Sequence, residues 1–130
     1  MTQQGHNPRG LLPEDRLNVT DSEIIGVIQD VMHVRINRLR VRNGKRSTAK
    51  VCLARAIYAY YAAEAGYSVG QICGVIGWKL EESARRAILR YVEFDFCPTN
   101  KKFNKYAPLV SRAIRAKIAA SEAQEARREP

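Results

Sequence analysis

A chain of 130 residues with 45% hydrophobic content suffices for one compact core, and 8 glycines and 5 prolines are too few for a largely disordered polymer. The 22 Lys and Arg against 13 Asp and Glu leave a formal charge of +9 and a pI near 9.8, a balance that favours polyanionic partners. Apolar runs of only a few residues, with Arg55 interrupting the most hydrophobic segment, argue against a membrane span; the N-terminus lacks the apolar centre of a signal peptide, so a cytoplasmic, nucleoid-associated protein is expected.

Residues 1–19 contain Gly5, Pro8, Gly10 and Pro13 among polar side chains and read as a flexible N-terminal arm, with a short ordered piece at Leu11 and Leu12. The first helix starts after Thr20, which stands three residues before Glu23 as in a capping box, while Asp21 and Glu23 suit the positive end of the helix dipole. Ile24, Val27, Ile28, Val31 and Met32 then make a core stripe.

From Arg35 to Lys50 the chain carries Arg35, Arg38, Arg40, Arg42, Lys45, Arg46 and Lys50 with no acidic residue, and Asn43–Gly44 marks a turn. Seven uncompensated cations around a turn repel one another unless a partner neutralises them, and arginine in a loop suits phosphates or a narrow minor groove. Arg38, Arg40, Arg42, Lys45 and Arg46 are the candidate DNA contacts here, with Ser47 beside them. Ser47 or Thr48 caps the next helix, which runs to about Ala65 and buries Val51, Ala54, Ile57, Tyr58, Tyr61 and Ala65. Its tyrosines, at helical spacing, read as core rather than as base-stacking platforms.

The stretch from Ser68 to Phe94 parses as a short helix, a tight turn and a longer helix. Ser68 is a natural N-cap and a further candidate contact; Ile72, Val75 and Ile76 make the apolar side; Gly77 ends the helix because glycine takes a left-handed conformation at least cost. In the second helix, Lys79 to Val92, one face holds Leu80, Ala84, Ala87, Ile88 and Tyr91. The other presents Lys79, Glu82, Ser83, Arg86 and Arg90, with Arg85 beside them. A helix apolar behind and rich in arginine in front can offer donors to guanine edges and phosphates, so these six polar residues are candidate DNA contacts of a recognition helix.

From about residue 24 to 118 the chain resembles the C-terminal DNA-binding domain of the bacterial replication initiator DnaA, a helical domain grouped with the Trp repressor. The resemblance rests on Arg55, Ile57, Tyr60, Ala62 and Glu64 in the long helix and on Ser68, Ile72, Gly77, Lys79 and Ala87 in the helix-turn-helix. Val34, Ile36 and Leu39 ahead of the basic turn add to it. It implies an all-α fold, a single helical domain over 20–120, and double-stranded DNA as partner. The family's recognition signature, Arg-Asp-His-Ser/Thr-Thr-Val, is replaced here by Lys79, Leu80, Glu81, Glu82, Ser83 and Ala84, so a different target sequence is implied. Glu81 and Glu82 also suit a helix start through the dipole, and Glu82 could accept from cytosine.

Further on, Pro98 breaks the chain after the long helix, Phe94, Phe96 and Phe103 pack back on the core, and a last helix begins near Pro108. Leu109, Val110, Ile114 and Ile118 form its apolar seam; residues 121–130 make a charged tail that frays or extends the helix toward a partner. Cys52, Cys73 and Cys97, without a CxxC pair, read as free thiols, and His6 and His33 have no partner at ligand spacing, so no metal or cofactor is expected. No GxxxxGK[ST] loop or nucleophile elbow is present, so neither an ATPase nor another enzyme is expected, nor a small-molecule substrate. The expected function is transcription regulation through duplex DNA, of phage or phage-like type. Origin binding or interference with the host initiator is the near alternative, and a protein-interaction module built on the C-terminal helix the distant one.

Overall fold

The most extensively buried helix is the one around which the others pack. In the computed structural model, which describes residues 7, 10–41, 48–95 and 101–128, α3 spans Ala49–Glu64 and is buried on nearly every side. Ala54, Ala56, Ala59, Ala62 and Ala63 let neighbouring helices approach closely, while Ile57, Tyr58 and Tyr61 fill the spaces between them. Arranged about it are α1 (Asp21–Met32), the single turn α2 (Ile36–Leu39), α4 (Val69–Ile76), α5 (Glu81–Asp95) and α6 (Lys101–Arg128). Among the described residues there is no strand: the protein is all-α. No helix among them is long and apolar enough to cross a membrane.

Local chemistry sets the helix starts. Thr20 Oγ1 accepts the Glu23 N–H at 3.2 Å and Glu23 Oε1 accepts the Thr20 N–H at 3.0 Å, the reciprocal box its spacing predicts. At the start of α3 it is Thr48 that caps, its hydroxyl accepting from the Val51 N–H. Tyr58, buried in α3, donates its hydroxyl to the Asp21 carboxylate, and the Asp21 N–H donates to Tyr67 Oη at 2.8 Å. Burial first, and the Asp21 contact second, push the Tyr58 phenol well above its usual range, so it stays a donor. Tyr91 of α5 stacks on Tyr60 at a centroid distance of 4.0 Å and meets Phe103 of α6 edge-on at 5.3 Å, which knits three helices together.

Among the described residues, the stretch before α1 is tied down where its composition reads as a loose arm, and the last helix runs on past residue 120. The described residues of the segment read as a flexible arm, 7 and 10–19, lie against the end of α3: Leu17 N–H donates to Glu64 O at 2.8 Å, Asn7 Nδ2 donates to Ala63 O and Tyr67 O, and Val19 is buried. Arg16 lies against Gly66, whose φ of +98° a side chain would strain. The last helix begins at Lys101, seven residues before Pro108, and continues through the stretch read as tail to Arg128. Its seam of Phe103, Ala107, Val110 and Ile114 packs on α1, while Pro108 sits on the exposed side, where loss of one N–H costs least. Asn18 Nδ2 donates to Glu125 Oε1 at 3.3 Å, joining the two ends.

Candidate nucleic-acid interface

Two segments carry the candidate contacts, and their placement follows from backbone bonds and one arginine. In α4, Ser68 Oγ accepts from the Gln71 N–H and Gln71 Oε1 accepts from the Ser68 N–H, again a capping box. Gly77 ends the helix at φ +86°, and the N–H groups of Gly77 and Trp78 both donate to Cys73 O, closing it as left-handed glycine caps do. Four residues, 77–80, then lead into α5.

Helix α5 begins at Glu81 rather than at Lys79, so Lys79 and Leu80 belong to the turn. Leu80, expected on the apolar face, is instead 68% exposed, because outside the helix its side chain no longer shares the azimuth of Ala84. Ala84, Ile88 and Tyr91 are buried and Ala87 half-buried against α3 and α4, as the spacing predicts. The opposite side presents Glu82, Arg86 and Arg90 to solvent, with Ser83 and Arg85 half-exposed at its edges. Two adjacent ion pairs run along it, the partners of each about one helical turn apart: Arg85 to Glu81 and Arg86 to Glu82, each at 3.4 Å. They are i,i+4 surface pairs, each contributing about 0.3–0.5 kcal/mol, so they orient the guanidinium groups without locking them.

The basic segment enters beside this helix pair. Val41 N–H donates to Ile76 O at 2.7 Å, fastening the segment to the last turn of α4, and Arg40 Nη2 lies 3.9 Å from where a Cβ on Gly77 would stand. From α3, Arg55 reaches across: its Nε donates to Leu39 O at 2.6 Å and its Nη2 to Arg40 O at 3.1 Å and Arg38 O at 3.5 Å. Those carbonyls end α2 and have no helical partner, so a buried guanidinium here is a C-terminal cap supplied from another helix. Burial pulls the Arg55 pKa below its ordinary value. The arginine that interrupts the apolar helix is thus the clamp that holds the backbone of residues 38–40, with Arg40 beside Gly77.

Two concavities flank this clamp. Between α3 and α5 lies a cleft of about 210 Å³ whose walls include Arg55, Trp78, Ser83, Arg86 and Arg90. Between the end of α1, α2 and the start of α3 lies a wider hollow of about 550 Å³, lined by His33, Arg35, Arg38, Thr48 and Lys50 among others. Lys50 Nζ also sits 5.6 Å from the centre of the Tyr106 ring.

Of the candidate contacts, Lys79, Glu82, Ser83, Arg85, Arg86 and Arg90 lie on or beside the presented side of α5; Arg38 and Arg40 are both exposed, Arg40 next to Gly77 and Arg38 in the hollow between α1, α2 and α3. Arg42, Lys45, Arg46 and Ser47, with the Asn43–Gly44 turn, fall outside the described residues, as do His6, Phe96, Cys97 and Pro98. Ser68 is buried and its hydroxyl accepts from the Gln71 N–H, so the structure gives it the N-cap role its sequence position predicts. Cys52 and Cys73 are free thiols, and burial, with Glu81 adding to it, holds Cys73 above the usual thiol range. Among residues not singled out from the sequence, Trp78 is half-buried in the cleft wall and Leu89 stands 60% exposed on α5. A lone arginine in an apolar helix was the one available signal for Arg55. Comparison with protein-family models, curated proteins and solved structures finds no match to this chain.

Proposed function

We propose that this protein binds double-stranded DNA through α4, the following turn and α5, and acts as a transcription regulator of phage or phage-like type. The observation that carries the reading is the fastening of the basic segment to the helix pair, through Val41 N–H to Ile76 O and through Arg55 to three carbonyls. It joins the end of the basic segment, distant in sequence, to the last turn of α4, which is the kind of linkage that lets a groove-reading helix and a phosphate-gripping neighbour serve one duplex. A formal charge of +9 supplies the long-range attraction. In this arrangement α5 enters the major groove, Arg86 and Arg90 reach base edges or phosphates, and Arg38 and Arg40 grip the adjoining backbone. Origin binding or competition with a host initiator would use the same surface. Partner binding through α6 is less favoured, because its apolar seam already covers α1. No catalytic step, cofactor or metal is assigned.

The test is fluorescence anisotropy of a labelled duplex against salt. Phosphate-driven binding weakens with a slope of about 0.9 per phosphate contacted on logarithmic axes. Bound fragments recovered from a random-sequence pool then define the site. An affinity indifferent to salt, or no retention of any duplex at low ionic strength, refutes the reading.

A further inference from the structure

On α5 the residues farthest from the buried Ala84, Ile88 and Tyr91 are Glu82, Arg86, Leu89 and Glu93, which follow one another at spacings of four, three and four and form a single outward ridge. Three of the four are charged, and Arg86 is paired with Glu82. Leu89 is the uncharged member, and 60% of it faces solvent. A solitary leucine on an ordinary surface needs no explanation. This one stands on the ridge that would lie deepest in a groove, between Arg86 and Arg90, where a charged or polar side chain would hydrate better. The apolar group that duplex DNA exposes in its major groove is the C5 methyl of thymine.

We infer that Leu89 is a specificity-determining residue that covers a thymine methyl group. The inference rests on the DNA-binding reading above. Along the helix axis Leu89 is about 4.5 Å from Arg86, a little more than the base-pair rise of about 3.4 Å. The thymine therefore lies one or two base pairs from the position Arg86 reads. A leucine at this point discriminates against cytosine, which carries no methyl there, and against uracil in the same pairing context.

The experiment uses the full chain and the duplex enriched from a random-sequence pool, synthesised either with thymine or with deoxyuracil at each invariant thymine in turn. Wild type should bind the duplex lacking the relevant methyl about fourfold more weakly, the fold-change of exposing one methylene-sized group. Leu89→Ala should bind the two duplexes equally while keeping the wild-type salt dependence and a melting curve close to wild type, since the side chain is mostly exposed. Wild-type indifference to every methyl overturns the inference, as does a Leu89→Ala protein that keeps the wild-type preference. A change in sedimentation of Leu89→Ala with the methyl preference intact overturns it in favour of self-association. Failure of all duplexes to bind at low salt sinks the DNA reading and this inference together, whereas binding without a methyl preference sinks this inference alone.

Discussion

Replacing Arg55 by methionine keeps an unbranched stem in the α3 core and removes the guanidinium that ends α2. The contacts at 2.6 and 3.1 Å are full hydrogen bonds, while the one at 3.5 Å is at the limit and adds little. Charge-assisted bonds of this kind contribute about 1.5–3 kcal/mol each. Against that stands the desolvation of the guanidinium, visible in its lowered pKa, which methionine relieves. The net loss works out at about 2 kcal/mol. With an unfolding entropy of about 2.1 cal/mol/K per residue, that lowers Tm by about 7 °C for a chain of this length. Circular dichroism melts and urea titration measure it, the latter with an unchanged m-value because the same surface unfolds. Below the melting range Arg55→Met should also bind duplex DNA more weakly and with a shallower salt slope, since α2, a single turn without a side-chain N-cap, loses its clamp and carries Arg38 and Arg40 with it. Arg55→Lys should fall between, one ammonium being unable to span three carbonyls. A Tm within about 2 °C of wild type for Arg55→Met, or a full-strength salt slope, would refute the clamp.

Three further outcomes are expected. Glu81→Gln with Glu82→Gln removes the partners of Arg85 and Arg86; stability should change by less than about 1 kcal/mol, while duplex affinity and salt slope both rise, and unchanged affinity would mean those arginines do not meet DNA. Gly77→Ala forces a side chain into φ +86° with only ordinary contacts to Val41 around it, so it should cost about 1 kcal/mol in a urea titration through backbone strain alone. Tyr58 holds its proton far more tightly folded than unfolded, so its share of stability is complete below pH 10.0 and is lost as pH rises above that. Each further unit removes about 1.4 kcal/mol, and Tyr58→Phe should show a flatter decline over the same alkaline range in parallel melts.

Helix positions and caps were legible because their causes are local. Thr20 with Glu23, Thr48, Ser68 and Gly77 each act within four residues of themselves, and the apolar spacing in α1 and α5 picks out the faces that are buried. Where reading failed, the deciding partner was distant in sequence. Lys79 and Leu80 fit a helical pattern, yet the left-handed closure at Gly77 and Trp78 delays α5 to Glu81. Residues 10–19 look like a loose arm until the end of α3 offers them Glu64 O and the hollow over Gly66. For residues 121–128 the two expectations were fraying or helix extension, and the structure has the second: α6 continues to Arg128 from a seam packed on α1.

Composition and periodicity were enough to determine a strong positive charge, amphipathic helices on either side of the basic segment, and a short helix, turn and longer helix in the middle of the chain. These are properties of residue type and spacing, and hold whatever the helices pack against. Tertiary structure alone decided that Arg55 caps α2, that Val41 pairs with the end of α4, and that Arg40 therefore stands beside Gly77 at the turn into α5. The reason is physical: a buried guanidinium and an unpaired carbonyl each carry a large desolvation cost, and only the folded chain brings them together so that each removes the other's.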